Sequence, residues 1–191
     1  MAVSEAPPAI APAPPAVRRL VERWHRAERW LAMAAFMLIA ALLILDVTGR
    51  ELLGPLLRRL GADTGNTGIP GAQQIAVFAL VVGAFCGIGI VTAGNSALVP
   101  RVVFGWIPRA WAPAMNRIAD ALTGSLMLVV AWYALQFVLA SKATSMRAPV
   151  LSWEVWPFQL AIPAGFVSAA LRCWLFAVWP GLKPPPPEFQ E

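Results

Sequence analysis

Residues 72–93 read AQQIAVFALVVGAFCGIGIVTA, a continuous apolar run that contains no charged residue. At a rise of 1.5 Å per residue, a helix of about 20 residues crosses the ~30 Å hydrocarbon layer of a bilayer. Inside that layer every backbone N–H and C=O group must be satisfied within the protein, which favours a helix. The stretch therefore predicts a membrane-spanning helix.

Three further apolar runs have comparable length, and they cover residues 30–47, 118–140 and 155–179. Asp46 interrupts the first run near its end, Asp120 stands at the mouth of the third, and Arg172 lies in the last part of the fourth. Tryptophans lie near the ends of the runs, as expected of aromatic side chains at the membrane interface. We therefore predict an all-α membrane protein, with four transmembrane helices in one domain over residues 30–179.

The composition supports a lipid environment. Hydrophobic residues make up 59% of the 191 residues and charged residues only 13%, whereas soluble domains average about 25% charged residues. The formal net charge of +5 comes from basic residues that cluster between the apolar runs. This pattern is typical of charge that flanks a membrane, so we expect lipid as a partner and no nucleic acid.

The chain has few residues of the types that commonly carry out catalysis or bind cofactors. Cys86 and Cys173 each lie inside an apolar run and form no CxxC pair, so a disulfide or zinc framework has no support. The single histidine, His25, lies outside the runs, which argues against haem held by histidines from facing helices. We therefore predict that the protein is not an enzyme and binds no cofactor or metal.

The segments outside the spans also have distinct compositions. Residues 1–16 and 180–191 are rich in proline and are predicted to be flexible tails. Residues 98–116 are too apolar for an ordinary loop and contain three prolines, which predicts a segment along the cytoplasmic membrane face.

Residues 17–29 combine an apolar stripe, at three-to-four-residue spacing, with arginines over much of the remaining surface. This pattern predicts an amphipathic helix lying in the headgroup region. Its membrane-surface residues would be Arg18, Arg19, Arg23, Trp24 and Arg26. The alternative is a solvated extension of the first spanning helix.

The side that carries both termini has ten basic residues, with Arg172 counted among them, and the opposite side has five. The positive-inside rule therefore predicts that both termini are cytoplasmic.

Small residues recur every four positions on two of the spans: Ala79, Gly83 and Gly87 on the second, and Ala161, Gly165 and Ala169 on the fourth. Such faces allow close approach of helix backbones in lipid, where no hydrophobic effect drives helices together. They serve either packing within this chain or docking onto another membrane subunit.

A polar cluster borders the periplasmic ends of the first two spans: Asp46, Thr48, Arg50, Glu51, Gln73 and Gln74. Polar groups that are buried at this depth need hydrogen-bonding partners. These residues therefore pair either with each other or with a larger protein.

Several short motifs, in a fixed order over residues 28–179, carry a family resemblance. They are LDVTGR at 45–50 with Gly54, IPGAQQ at 69–74, Gly87, GNS at 94–96 and IPAGF at 162–166. In this order they resemble the small membrane subunit of tripartite ATP-independent periplasmic (TRAP) transporters, the DctQ-like family. The chain departs from that family where Gln73 and Gln74 replace frequent acidic residues, where a histidine near Asn95 or Ser96 is missing, and in a longer first loop, 55–68.

The resemblance implies a small scaffold subunit of a sodium-coupled transporter in the bacterial inner membrane. Its partners would be a large membrane subunit and a periplasmic binding protein that delivers an organic acid. The residues expected at the subunit interface are Ala79, Gly83, Gly87, Gly165, Asp46, Arg50, Gln73 and Gln74. The alternatives are a free-standing or homodimeric small carrier, and a membrane-integral enzyme whose polar residues converge only in three dimensions.

Overall fold

Four helices dominate the computed structural model, which describes residues 13–61, 65, 67–94 and 111–184. Each is long and apolar enough to span a membrane, which confirms the predicted all-α fold with four transmembrane helices. The helical elements are α1 (Pro15–Thr48), α2 (Gly54–Arg59), α3 (Ala72–Ala93), α4 (Ala112–Ala143), α5 (Trp156–Gln159) and α6 (Ala161–Val178). The tails at 1–12 and 185–191, and the interfacial segment at 98–110, lie outside the described residues.

The first helix is longer than the predicted span. Pro15–Arg59 is helical throughout, because a π-helical turn at Gly49–Leu53 joins α1 to α2. The turn precedes Pro55, which lacks an N–H group and cannot continue regular α-helical hydrogen bonding. The N–H of Gly54 instead reaches back five residues to the carbonyl of Gly49.

The break that the sequence predicted between residues 29 and 30 is absent, because α1 continues through both without interruption. Neither glycine nor proline occurs between residues 17 and 47, so no residue in this stretch ends the helix. Residues 17–29 thus form the N-terminal part of α1, in one continuous helix with the first span. Contact of this part of α1 with the membrane surface remains a prediction.

The third and fourth spans also differ from the sequence expectation. α4 begins at Ala112, with Pro113 in its first turn, so the end of the predicted interfacial segment forms the start of this helix. The fourth span is divided into α5 and α6, with Leu160 between them. Pro163 explains the division, because it cannot donate a hydrogen bond to the carbonyl of Gln159.

The helices pack in an order that differs from their order in the chain. The main contacts join α1 to α3, α3 to α6, and α6 to α4. The first and third spans therefore lie at opposite ends of a row, with the second and fourth between them. Small side chains line the contacts, among them Ala35 on α1, Ala79 on α3 and Ala170 on α6. Close approach of backbones at such residues is the usual basis of helix association in lipid.

Candidate functional site

The small residues that the sequence proposed for an interface have different surroundings. A Cβ atom on Gly83 would lie 3.3 Å from the Cβ of Ala35, so Gly83 packs against α1, as does buried Ala79 beside it on α3. A Cβ atom on Gly165 would lie 2.6 Å from the carbonyl oxygen of Phe85, so Gly165 packs against α3. No atom of the other helices in the described part of the chain lies within 4 Å of the corresponding position on Gly87. Gly87 alone among the four has open space.

The predicted polar cluster at the end of the first span forms an internal ion pair. The Asp46 side chain is 4% exposed, and its Oδ2 lies 3.1 Å from Nη2 of Arg50. The backbone N–H of Ile69 donates to Asp46 Oδ1 at 2.9 Å, which ties the following loop to α1. Gly49 permits this approach, because a Cβ there would lie 2.6 Å from the carbonyl oxygen of Thr67. The Arg50 side chain remains 45% exposed, so a partner protein can reach it.

The two glutamines at the start of α3 have different surroundings. The Oε1 atom of Gln74 accepts hydrogen bonds from the N–H groups of Val150 and Leu151, each at 3.3 Å. It thereby fastens the connection between α4 and α5 to the second span. The Gln73 side chain is exposed on the surface of α3.

A second ion pair, which the sequence analysis did not identify, crosses the middle of the helix row. The Arg172 side chain is fully buried, and its Nη2 lies 2.5 Å from Oε2 of Glu28, whose side chain is 12% exposed. Nη1 of Arg172 donates to the carbonyl oxygen of Gly89, and the Ser168 hydroxyl donates to Glu28 Oε1. The cluster therefore binds α1, α3 and α6 together.

Glycine and tryptophan complete this cluster. A Cβ atom on Gly89 would lie 2.8 Å from both carboxylate oxygens of Glu28, so only glycine leaves room for the carboxylate. The Trp24 ring lies 5.0 Å from the Arg172 guanidinium carbon, a distance typical of a cation–π contact. The sequence analysis assigned Trp24 to the membrane surface, whereas the structure places its ring against Arg172. The other predicted surface residues, Arg18, Arg19, Arg23 and Arg26, are exposed.

The sequence contained one signal for this cluster. An arginine inside an apolar run is expensive in lipid unless it faces the bundle and pairs, and Arg172 stands inside such a run. The sequence analysis counted it instead as a flanking cytoplasmic charge. Its partner could not be identified from spacing, because Glu28 lies 144 residues away along the chain.

A third ion pair joins the start of α4 to the end of the described chain. Nζ of Lys183 lies 2.7 Å from Oδ1 and 2.9 Å from Oδ2 of Asp120. In the part of the chain that the structure describes, no group of three or more His, Cys, Asp or Glu residues could hold a metal ion. All three ion pairs neutralise charge, and the pair of Glu28 and Arg172 also fixes two spans against each other.

One family model matches most of the chain. The family model of the tripartite ATP-independent periplasmic transporters, DctQ component, matches residues 39–179. The chain belongs to the DctQ family. The resemblance found from the sequence motifs is thereby confirmed. The chain is a multi-pass membrane protein and a component of a transport system.

The match to the DctQ family covers all four spans, beginning partway along the first. It includes Arg172 and the Asp46–Arg50 pair, whereas Glu28 lies before it. Neither the comparison with curated proteins nor that with solved structures returned a match.

Proposed function

We propose that this DctQ protein is the membrane scaffold subunit of a sodium-coupled TRAP transporter that imports an organic acid. A large membrane subunit would carry substrate and sodium, and a periplasmic binding protein would deliver the substrate. This chain would anchor the large subunit in the inner membrane and help to dock the binding protein. Membership of the DctQ family is the observation that carries the proposal.

The internal ion pairs support a scaffold role. The cluster of Glu28 and Arg172 joins three of the four spans. The ion pair of Asp120 and Lys183 joins the remaining span, α4, to the segment that follows α6. A subunit that holds a moving partner in place must itself resist deformation. A buried ion pair can fix one arrangement of helices, because any other arrangement leaves a charge unpaired in a medium of low dielectric constant.

Co-purification from native membranes tests the proposal. We expect this chain, carrying an affinity tag, to retain a much larger membrane protein after mild solubilisation, and the pair with the binding protein to give sodium-dependent uptake in proteoliposomes. A tagged four-span protein of unrelated family from the same membrane is the control. Recovery of this chain alone, with transport activity, would instead support the free-standing carrier.

We further propose that both termini are cytoplasmic. Burial of Arg172 removes one charge from the cytoplasmic total, and the remaining basic residues still favour that side. Single cysteines at exposed Gly65 and near the C-terminus, in a background without Cys86 and Cys173, give the test. We expect a membrane-impermeant maleimide added to intact spheroplasts to label the first position and not the second. Labelling of the C-terminal position alone would reverse the topology.

A further inference from the structure

The third span shows most of its surface to the outside of the helix row. α4 packs mainly against α6, and its buried residues form a narrow stripe: Gly124, Ala131, Val138 and Ser141. The first three are spaced by seven, which places them along a single seam of the helix. Most other side chains of α4 in its second half are exposed.

Three side chains that carry hydrogen-bonding groups lie on this outer surface. Trp132 is 60% exposed, Tyr133 is 69% exposed, and Gln136 is also exposed. Residues three and four apart share a helix face, so Gln136 neighbours both of the others. Within the described part of the chain, none of the three makes a hydrogen bond.

The depth of these side chains makes their exposure costly. The Nζ atom of Lys142 lies 4.9 Å from the Trp156 ring centroid, and this charged and aromatic pair marks the membrane-interface end of α4. Tyr133 lies nine residues before Lys142, about 13 Å deeper at 1.5 Å per residue. Long helical side chains lean towards the helix N-terminus, which here carries the phenol still further towards the bilayer centre. Lipid tails offer no hydrogen-bond acceptor at that depth.

The other spans contrast with this surface. Within residues 31–45 of α1, 77–91 of α3 and 164–171 of α6 the exposed side chains are apolar, as shown by Met37, Leu80 and Val167. These faces are suited to lipid. The surface of α4 formed by Trp132, Tyr133 and Gln136 is suited to another protein that offers polar groups at matching depth.

We propose that this surface of α4 docks against a transmembrane helix of the large TRAP subunit, which supplies hydrogen-bonding groups to Tyr133 and Gln136. The inference rests on the proposed function, since DctQ is a component of a tripartite transporter. The proposed contact lies at one end of the helix row, away from the contacts that Gly83 and Gly165 make between helices of this chain.

Tyr133→Phe and Gln136→Leu remove the polar atoms and approximately preserve side-chain size. Both new side chains are apolar and therefore suited to contact with lipid. We therefore expect the amount of this chain in the membrane to stay unchanged. Retention of the co-expressed large subunit should fall by about threefold for each variant, the size expected for one interhelical polar contact, and further for the double variant. Thr123→Val is the matched control, because it removes an exposed hydroxyl from another side of the same helix and should leave retention unchanged.

A photo-crosslinking amino acid in place of Tyr133 identifies the neighbour directly in the assembled complex. We expect an adduct with the large subunit. An adduct only with a second copy of this chain, or no protein adduct, would overturn the inference, as would full retention of the large subunit by the double variant. If the wild-type chain itself retains no large subunit, the proposed function fails and this inference fails with it.

Discussion

Arg172→Ala is expected to cause the largest loss of folded protein among substitutions of the charged residues. It leaves the Glu28 carboxylate, 12% exposed, without its cation, and the carbonyl of Gly89 without its donor. Removing one partner of a buried ion pair typically costs about 3–5 kcal/mol, a large part of the roughly 5–15 kcal/mol that holds a typical folded protein together. Fluorescence-detected size-exclusion chromatography after solubilisation measures the remaining monodisperse fraction.

Arg18→Ala is the matched control, because Arg18 and Glu22 form an ion pair at 3.2 Å with side chains 74% and 59% exposed. Exposed pairs contribute about 0–1 kcal/mol, so this variant should behave like the wild type. Replacing both buried charges, as in Glu28→Leu with Arg172→Met, should recover part of the loss, since no charge is then left unpaired. Equal yields for Arg172→Ala and Arg18→Ala would contradict the structural role of the cluster.

Gly165→Leu and Gly87→Leu are expected to fail in different ways. The Cβ atom of the new side chain at 165 would lie 2.6 Å from the Phe85 carbonyl oxygen and 2.9 Å from the Phe85 Cβ. A backbone atom cannot move aside as a flexible side chain can, so α6 must separate from α3. Overpacking a core costs typically about 1–3 kcal/mol, and more where backbone must shift. The amount of this chain in the membrane should therefore fall sharply.

At position 87 the same substitution meets open space among the described residues of this chain. If Gly87 faces the large subunit, as the family resemblance leads us to expect, Gly87→Leu leaves the amount of this chain unchanged but lowers retention of the large subunit and abolishes uptake. Quantifying both proteins in the same solubilised sample separates the two effects. Normal complex yield and normal uptake with Gly87→Leu would remove this edge of α3 from the interface.

The sequence by itself determined the fold class. Four apolar runs with few charges can only satisfy their backbone groups in lipid as helices, and the second span agrees with the structure at both ends, Ala72 and Ala93. Local chemistry was also readable: Asp46 and Arg50 are four residues apart on one helix face, and their pairing was one of the two interpretations that the sequence left open. The family could be recognised because its motifs are local stretches in a fixed order.

The sequence did not predict that α1 is one continuous helix. The amphipathic pattern of residues 17–29 suggested a separate helix, but a change of polarity along a helix does not break it. Only glycine, proline or a competing hydrogen bond does so. The same principle divided the fourth span at Leu160, where Pro163 removes a backbone donor inside an otherwise uninterrupted apolar run.

Only the tertiary structure decided which small residues meet within the chain and which charge pairs with Arg172. Gly83 and Gly87 lie on one stripe of α3, yet the position of α1 buries the first and leaves space at the second. Glu28 reaches Arg172 because α1 and α6 both approach α3 at Gly89. Helical periodicity specifies which residues share a face, whereas the contact each face makes depends on how helices distant in sequence are arranged around it.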